Sequence, residues 1–332
     1  MKKAIILIIV LQVIAVARLQ AQVDPHFSQY YAYPMWLNPA LTGVFNGDVR
    51  VGANYKNQWA NIDNGYNTGG LSADFRSGDK AGFGINIMNQ AAGNAGYNYF
   101  AAYGSFGYGI SISADGTQRL HFGVQAGFIN RSFDPNKLQF GDQYSPYTGF
   151  DPNIPNFENF ATTSAIVFDS STGIYYYDGN SEHGANPFFG VSLAHLTQSK
   201  DAFAEEGLNS RIPLRYTIHG GVKLRMTDDY DLTPNFIFMK QQANELKAFG
   251  IYNELKTDDD KSLIFGLLYR VNDAVAASVG YHLENMNIGL SYDINSSGLS
   301  AATHGQGGLE LSFSYIIGKH QPDGPEPVCP RF

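Results

Sequence analysis

The sequence predicts an all-β fold: a transmembrane antiparallel β-barrel of about fourteen strands. It adds an N-terminal plug-like segment and long extracellular loops. Three observations predict it. The first is the stretch 119–131, RLHFGVQAGFINR, where Leu120, Phe122, Val124, Ala126 and Phe128 alternate with Arg119, His121, Gln125 and Arg131. Such alternation means an extended strand with one oily and one wet face. Soluble strands average about 5–6 residues, whereas about ten are needed for a tilted strand to cross a bilayer. The second is composition: 21 Tyr, 23 Phe and 36 Gly, with charged residues held to 16%. That mixture suits long strands with aromatic girdles and is poor in the Leu, Ala, Glu and Lys of helical proteins. The third is the start of the chain.

There, Lys2 and Lys3 precede the apolar run 4–17, and Gln20-Ala21-Gln22 offers a small-residue cleavage site. Residues 1–22 read as a secretory signal peptide. Its apolar core is too short for a membrane helix, and no Cys follows it for lipid attachment. The formal charge of −8 becomes more negative when Lys2, Lys3 and Arg18 leave with the signal. Nucleic acid is therefore a poor partner. Cys329 is the single cysteine, so neither an internal disulfide nor a cysteine metal cluster can form.

Residues 23–48 carry Pro25, Pro34 and Pro39, which forbid a regular ladder, and they are dense in aromatics. An exposed aromatic tail is costly, so this segment is expected to pack inside the barrel as a plug or hatch. Phe27, Gln29, Tyr30, Trp36, Asn38 and Pro39 are its candidate residues. The barrel is expected over 49–318 and a Pro-rich tail over 319–332.

Strands are expected at 49–60, 68–76, 81–90, 97–112, 119–131, 170–177 and 188–196, then at 213–226, 232–241, 245–255, 262–271, 274–283, 286–294 and 308–318. In the first, Val51, Ala53, Tyr55 and Trp59 point outward, against inward Arg50, Asn54, Lys56 and Gln58. The connections check this count, because outer-membrane barrels keep short turns on one side and long loops on the other. Alternate connections, including 132–169, 197–212 and 295–307, are the long ones. The largest, 132–169, holds the turn starters Asp134-Pro135-Asn136 and Asp151-Pro152-Asn153. Loops of this length are usually functional or disordered. Phe140, Asp142, Gln143, Tyr144, Tyr147, Phe150 and Phe157 are its candidate partner-binding residues.

The inward parity collects Arg50, Arg76, Arg119, Arg131, Arg215, Lys223 and Arg225 as candidate lumen charges, with Lys56 and Arg270. Asp74, Glu284, Asp293 and Glu310 are the acidic counterparts. The lumen therefore reads as net basic. Either a network of salt bridges fills it, or it seats an acidic plug or partner segment. Enzymatic signals are weak: no G-x-S-x-G elbow is present, and His121, His219 and His282 lie on separate strands. The acidic run 258–260 lacks the spaced oxygen ligands of a calcium site. No catalytic, cofactor or metal residues are assigned.

A set of motifs runs in order along the chain. It begins with Asp24-Pro25-His26-Phe27-Ser28-Gln29-Tyr30-Tyr31, Leu37-Asn38-Pro39-Ala40-Leu41-Thr42-Gly43, Arg50-Val51-Gly52 and Asn57-Gln58-Trp59. It continues at Lys137-Leu138-Gln139-Phe140-Gly141-Asp142-Gln143, at Ala194-His195-Leu196-Thr197-Gln198 and across 212–221, and closes at Gly308-Leu309-Glu310-Leu311-Ser312-Phe313-Ser314-Tyr315. On these motifs the chain resembles the PorP/SprF family, outer-membrane proteins of the type IX secretion and gliding machinery of Bacteroidetes. The resemblance implies a non-catalytic outer-membrane protein, embedded in lipid. Its implied partner is an adhesin-like cargo with a C-terminal sorting domain, or other type IX components, which it helps export or retain. The alternative is a transport channel of fatty-acid-transporter type. Those barrels also combine fourteen strands with an N-terminal hatch, but lipidic cargo asks for a continuous apolar pocket.

Overall fold

In the computed structural model the described residues are 24–59, 61, 65–93, 96–155, 158, 160, 162–201, 203, 211–258, 260–298 and 300–318. The expected signal peptide, the expected tail and Phe157 lie outside them.

The strands are β1 (Val49–Gln58), β2 (Tyr66–Ser77), β3 (Ala81–Ala92), β4 (Tyr97–Ser111), β5 (Gln118–Ser132), β8 (Ser164–Asp178), β9 (Ala185–Ala194) and β10 (Arg215–Arg225). They continue as β11 (Tyr230–Gln241), β12 (Asn244–Asp258), β13 (Lys261–Arg270), β14 (Ala274–Leu283), β15 (Met286–Asn295) and β16 (Gln306–Ile317). A two-residue hairpin, β6 (Tyr144–Ser145) and β7 (Gly149–Phe150), stands apart in the largest loop. The other fourteen close one antiparallel barrel in sequence order. Closure is made by β1 on β16, from Val49 opposite Ile317 to Gln58 opposite Gly308. A closed ring leaves no edge strand to recruit another chain.

The alternation read from sequence decides which face each residue takes. Leu71 (61% exposed), Ile85, Val124, Phe249 and Leu267 point outward, forming a continuous apolar belt. A belt of this extent is stable only against lipid. The opposite parity is inside and buried: Asn86, Gln125, Thr217, His219 and Glu310.

Three expectations need correction. The strand expected at 170 begins at Ser164, so the largest connection is 133–163. Its first residues carry no clear alternation, because Ala165 and Val167 point inward against outward Ile166 and Phe168. Trp59 is not a lipid-facing strand residue. β1 ends at Gln58, and Trp59 turns away with φ 58° to pack edge-on against Tyr66 at 5.6 Å. Glu284 is exposed in the turn between β14 and β15, with φ 50°, and is not a lumen charge.

Candidate functional site: a threaded lumen

Residues 24–48 occupy the interior of the ring. Pro34 opens a single helical turn, α1 (Pro34–Leu37), and Pro39 opens a 3-10 turn, Pro39–Leu41. Proline suits both places, because the first N–H of a helical turn has no partner to lose. Asn38 joins the two turns, its side chain accepting from the Ala40 N–H at 2.9 Å. So short a set of turns leaves most backbone groups unpaired, and the barrel wall satisfies them.

The path has a direction. Asp24 lies at the long-loop mouth, bonded to His195 and Arg215 and to Gln241, which sit at the loop-side ends of β9, β10 and β11. Asp48 lies at the short-turn mouth, its N–H donating to the Ile317 carbonyl and its carbonyl accepting from the Arg76 N–H. The segment therefore threads the lumen from mouth to mouth.

Four attachments hold it. At the loop mouth, His195 Nε2 meets Asp24 Oδ2 at 2.5 Å and Nδ1 meets Asp169 Oδ2 at 3.0 Å. Arg215 donates to Asp24 at 2.9 Å, and the Tyr103 hydroxyl donates to Asp169 at 2.7 Å. Deeper, the Ser28 and Gln29 N–H groups donate to the two carboxylate oxygens of Glu310 at 2.6 and 2.8 Å. Arg270 and Lys56 both donate to the Ser28 hydroxyl, which itself donates to Asp293. At mid-lumen Asn38 Nδ2 donates to the Ile174 carbonyl at 3.0 Å, and the Ser192 hydroxyl donates to the Leu37 carbonyl. Near the turn mouth, Arg50 bridges Asp74 at 2.8 Å and donates to the Leu41 carbonyl, while the Gly43 N–H donates to Asp74.

His195 lies in the connection after β9, and both ring nitrogens face carboxylates, so both must carry protons. Burial alone pushes its pKa down, but the Asp24 and Asp169 carboxylates outweigh burial and hold it up at about 9. Asp24 behaves conversely. Burial raises its pKa, while His195 and Arg215 together hold it well below the usual carboxylate range. A histidine pKa raised from 6.5 to about 9 stabilises the clamp fully below its unfolded value. That stabilisation, about 3 kcal/mol, is lost as pH rises through about 9. Asp24's own contribution disappears only in strong acid. Hydrogen exchange across 24–27, corrected for intrinsic rates, should therefore show protection near neutrality that collapses above about pH 9. The Ser28 and Gln29 amides should stay protected throughout. Equal protection of 24–27 on both sides of that pH would mean His195 does not clamp the segment.

Above Asp24 opens a vestibule of about 720 Å³, walled by Trp59, Tyr97, Tyr99, Arg131 and Asp201. The family described as the type IX secretion system membrane protein PorP/SprF matches residues 19–315. This chain belongs to that family. No curated protein matches it significantly. Among solved structures, the toluene transporter TbuX of Ralstonia pickettii is 10% identical, covering 85% of this chain and 93% of that one with a TM-score of 0.50. The monoaromatic hydrocarbon channel CymD is also 10% identical, covering 87% and 93% with a TM-score of 0.52. At such identity these likenesses speak for the fold alone. Family and fold together make the protein an outer-membrane component of the type IX secretion system.

Within this PorP/SprF barrel, Phe27, Gln29, Tyr30, Trp36, Asn38 and Pro39 are all buried in the threaded segment. Arg50 pairs with Asp74, Arg215 with Asp24, Lys223 with Asp231 at 3.1 Å, and Arg131 with Asp201. Arg225 is exposed at the end of β10, whereas Arg76 and Arg119 stand near the turn mouth. The expected basic excess is thus largely neutralised, because inward Asp169, Asp178 and Asp231 add to the acidic set. In the largest loop, Tyr144 and Tyr147 are exposed, as is Asp142, and Phe140 and Phe150 are half-buried. Gln143 is buried, accepting from the Phe140 N–H and donating to the Ile154 carbonyl, so it holds the loop together instead of facing a partner. His195, Asp24 and Asp169 stand outside the candidate residues expected from sequence. Asp24 and His195 lie inside the family motifs, which was the available signal; Asp169 lay hidden at a misplaced strand start.

Proposed function

We propose that this PorP/SprF protein is a closed outer-membrane anchor that docks and retains a type IX cargo, or another secretion component, through its loop-side cap. One observation supports the reading: residues 24–48 run through the lumen bonded to its wall, from Asp24 at the loop mouth to Asp48 at the turn mouth, which favours the loops as the binding surface. Loops clustered on a rigid scaffold are where binding usually resides. Here the cap is braced from within. Phe133 packs against Phe160 at 5.2 Å and Phe203 at 5.6 Å, and Phe140 lies 6.0 Å from Phe160. Tyr147 stands free at 97% exposure, and large exposed rings are frequent anchors of protein interfaces.

The channel reading rests on neighbours described as hydrocarbon transporters. Such a passage needs continuous apolar lining. The lumen here is crossed by ion pairs such as Lys56–Asp293 and Arg50–Asp74. Deleting 143–158, with barrel insertion verified by heat-modifiable gel mobility, should abolish surface retention of the cargo. Tyr147→Ala should weaken it by about tenfold while leaving the fold untouched. Normal retention in both variants would reduce the loop to a lid and move the contact elsewhere.

A further inference from the structure

The charge balance of the lumen is uneven along its length. At the loop mouth and mid-lumen, cations meet carboxylates in ion pairs. At the turn mouth Arg50 is paired with Asp74 and Lys223 with Asp231, but three further cations there have no carboxylate partner among the described residues. Arg76, Lys80 and Arg119 line a pocket of about 200 Å³ with Asp79 as its single carboxylate. Among the described residues, none of these three cations forms an ion pair. Arg76 donates to the Phe45 carbonyl and Arg119 to the Asp79 carbonyl, so backbone oxygens satisfy only part of each guanidinium.

Two buried nitrogens in this pocket have no partner at all: Arg119 Nε and His121 Nε2. His121 is 7% exposed and its ring lies stacked on Tyr177 at 5.7 Å. A buried polar nitrogen left unpaired costs about 1–3 kcal/mol. Arg119 Nε is a donor in every state, and with the cations beside it that lack an ion pair it makes an arrangement that an anion completes.

We propose that this turn-side pocket binds the carboxylates of an acidic peptide segment from a partner protein. Guanidinium groups match carboxylate oxygens in pairs, and a cleft in which three cations outnumber the one carboxylate, with Phe45 and Tyr177 as low-dielectric walls, focuses its field on an incoming anion. The volume admits one or two carboxylate side chains and excludes a folded domain. The lining comes from the threaded segment, from inward strand positions and from the β2–β3 turn, so the pocket opens into the mouth and away from the lipid belt. Short turns mark the periplasmic side of such barrels, which places the partner segment there. This pocket lies at the opposite end from the loop cap and is independent of what docks on it.

The test uses the whole protein in detergent and calorimetric titration with three probes. These are a synthetic peptide with two adjacent glutamates between glycines and serines, its glutamine counterpart, and inorganic phosphate. The glutamate peptide should bind, and the glutamine peptide should bind at least about tenfold more weakly. Arg76→Gln and Arg119→Gln should each weaken the glutamate peptide about tenfold. Lys80→Gln, at an exposed turn position that cannot disturb folding, should weaken it about threefold. Equal binding of the two peptides, or binding indifferent to Lys80→Gln and Arg119→Gln, would overturn the proposal. So would saturation by phosphate with no binding of the peptide, which would make the pocket a site for a small free oxyanion.

Discussion

Arg270→Ala is expected to destabilise the barrel by about 3–5 kcal/mol, the cost of stripping one partner from a buried ion network. Arg270 is 1% exposed. One guanidinium nitrogen donates to the Ser28 hydroxyl at 2.6 Å, another to Asp293 at 2.8 Å, and Nε to Asp273 at 2.6 Å. Without it, Lys56 alone faces the buried carboxylates of Asp293 and Glu310, at 3.1 and 3.8 Å. Those carboxylates in turn hold the Ser28 hydroxyl and the Ser28 and Gln29 N–H groups, so the threaded segment loosens with the wall. The measurement is the urea midpoint of the heat-modifiable gel transition in detergent. Arg270→Lys should fall between, since an ammonium cannot reproduce the three-way fork. Lys261→Met, which removes the exposed pair with Asp258, should leave the midpoint unchanged. An Arg270→Ala midpoint equal to that of the unmodified protein would mean the cluster contributes nothing net.

The barrel was legible because its two faces obey a period of two. Arg50 and Lys56, Gln125 and Arg215 could be sent inward from parity alone, and Phe122 and Val124 outward, since lipid and lumen demand opposite chemistry of alternate residues. Parity says nothing about partners. The Asp24–His195 contact joins residues 171 positions apart, and its existence depends on where a proline-broken segment without periodicity lies inside the ring. For the same reason the direction of that segment was illegible. Only the identities of its contacts reveal that residue 24 lies at the loop mouth and residue 48 at the turn mouth. Asp169 illustrates a second limit. Where inward positions are apolar, as at Ala165 and Val167, the alternation vanishes and the strand reads as starting late. The loop residues were legible as a class, by length and aromatic content. Their division into internal braces, such as Gln143, and exposed rings, such as Tyr147, rests on loop packing that has no sequence period.

Excising residues 26–44 is expected to turn a silent barrel into a conducting one. Eight-stranded barrels are filled by their own side chains, whereas those of about 16–18 strands hold an aqueous channel. Fourteen strands fall toward the wider end, so wall side chains alone should leave a passage. What fills it is the threaded segment: Phe27, Tyr33, Met35, Leu37, Ala40 and Leu41 are buried across its length. Removing them exposes a mixed wall, in which Ile237, Met239 and Phe188 stand among Asn86, Gln125, Thr217 and the charged clusters, and those polar groups admit water. In planar bilayers the unmodified protein should show no stable conductance and the excised form discrete steps, with barrel closure checked by heat-modifiable mobility. Asn38→Ala supplies a milder form of the experiment. It removes the hydrogen bonds to the Ile174 and Val191 carbonyls and the contact with His219 at 3.2 Å, while the rest of the segment keeps its attachments. That variant should flicker open rarely. A silent excised barrel would mean the wall packs on itself, and steady conductance in the unmodified protein would mean the segment does not seal the lumen.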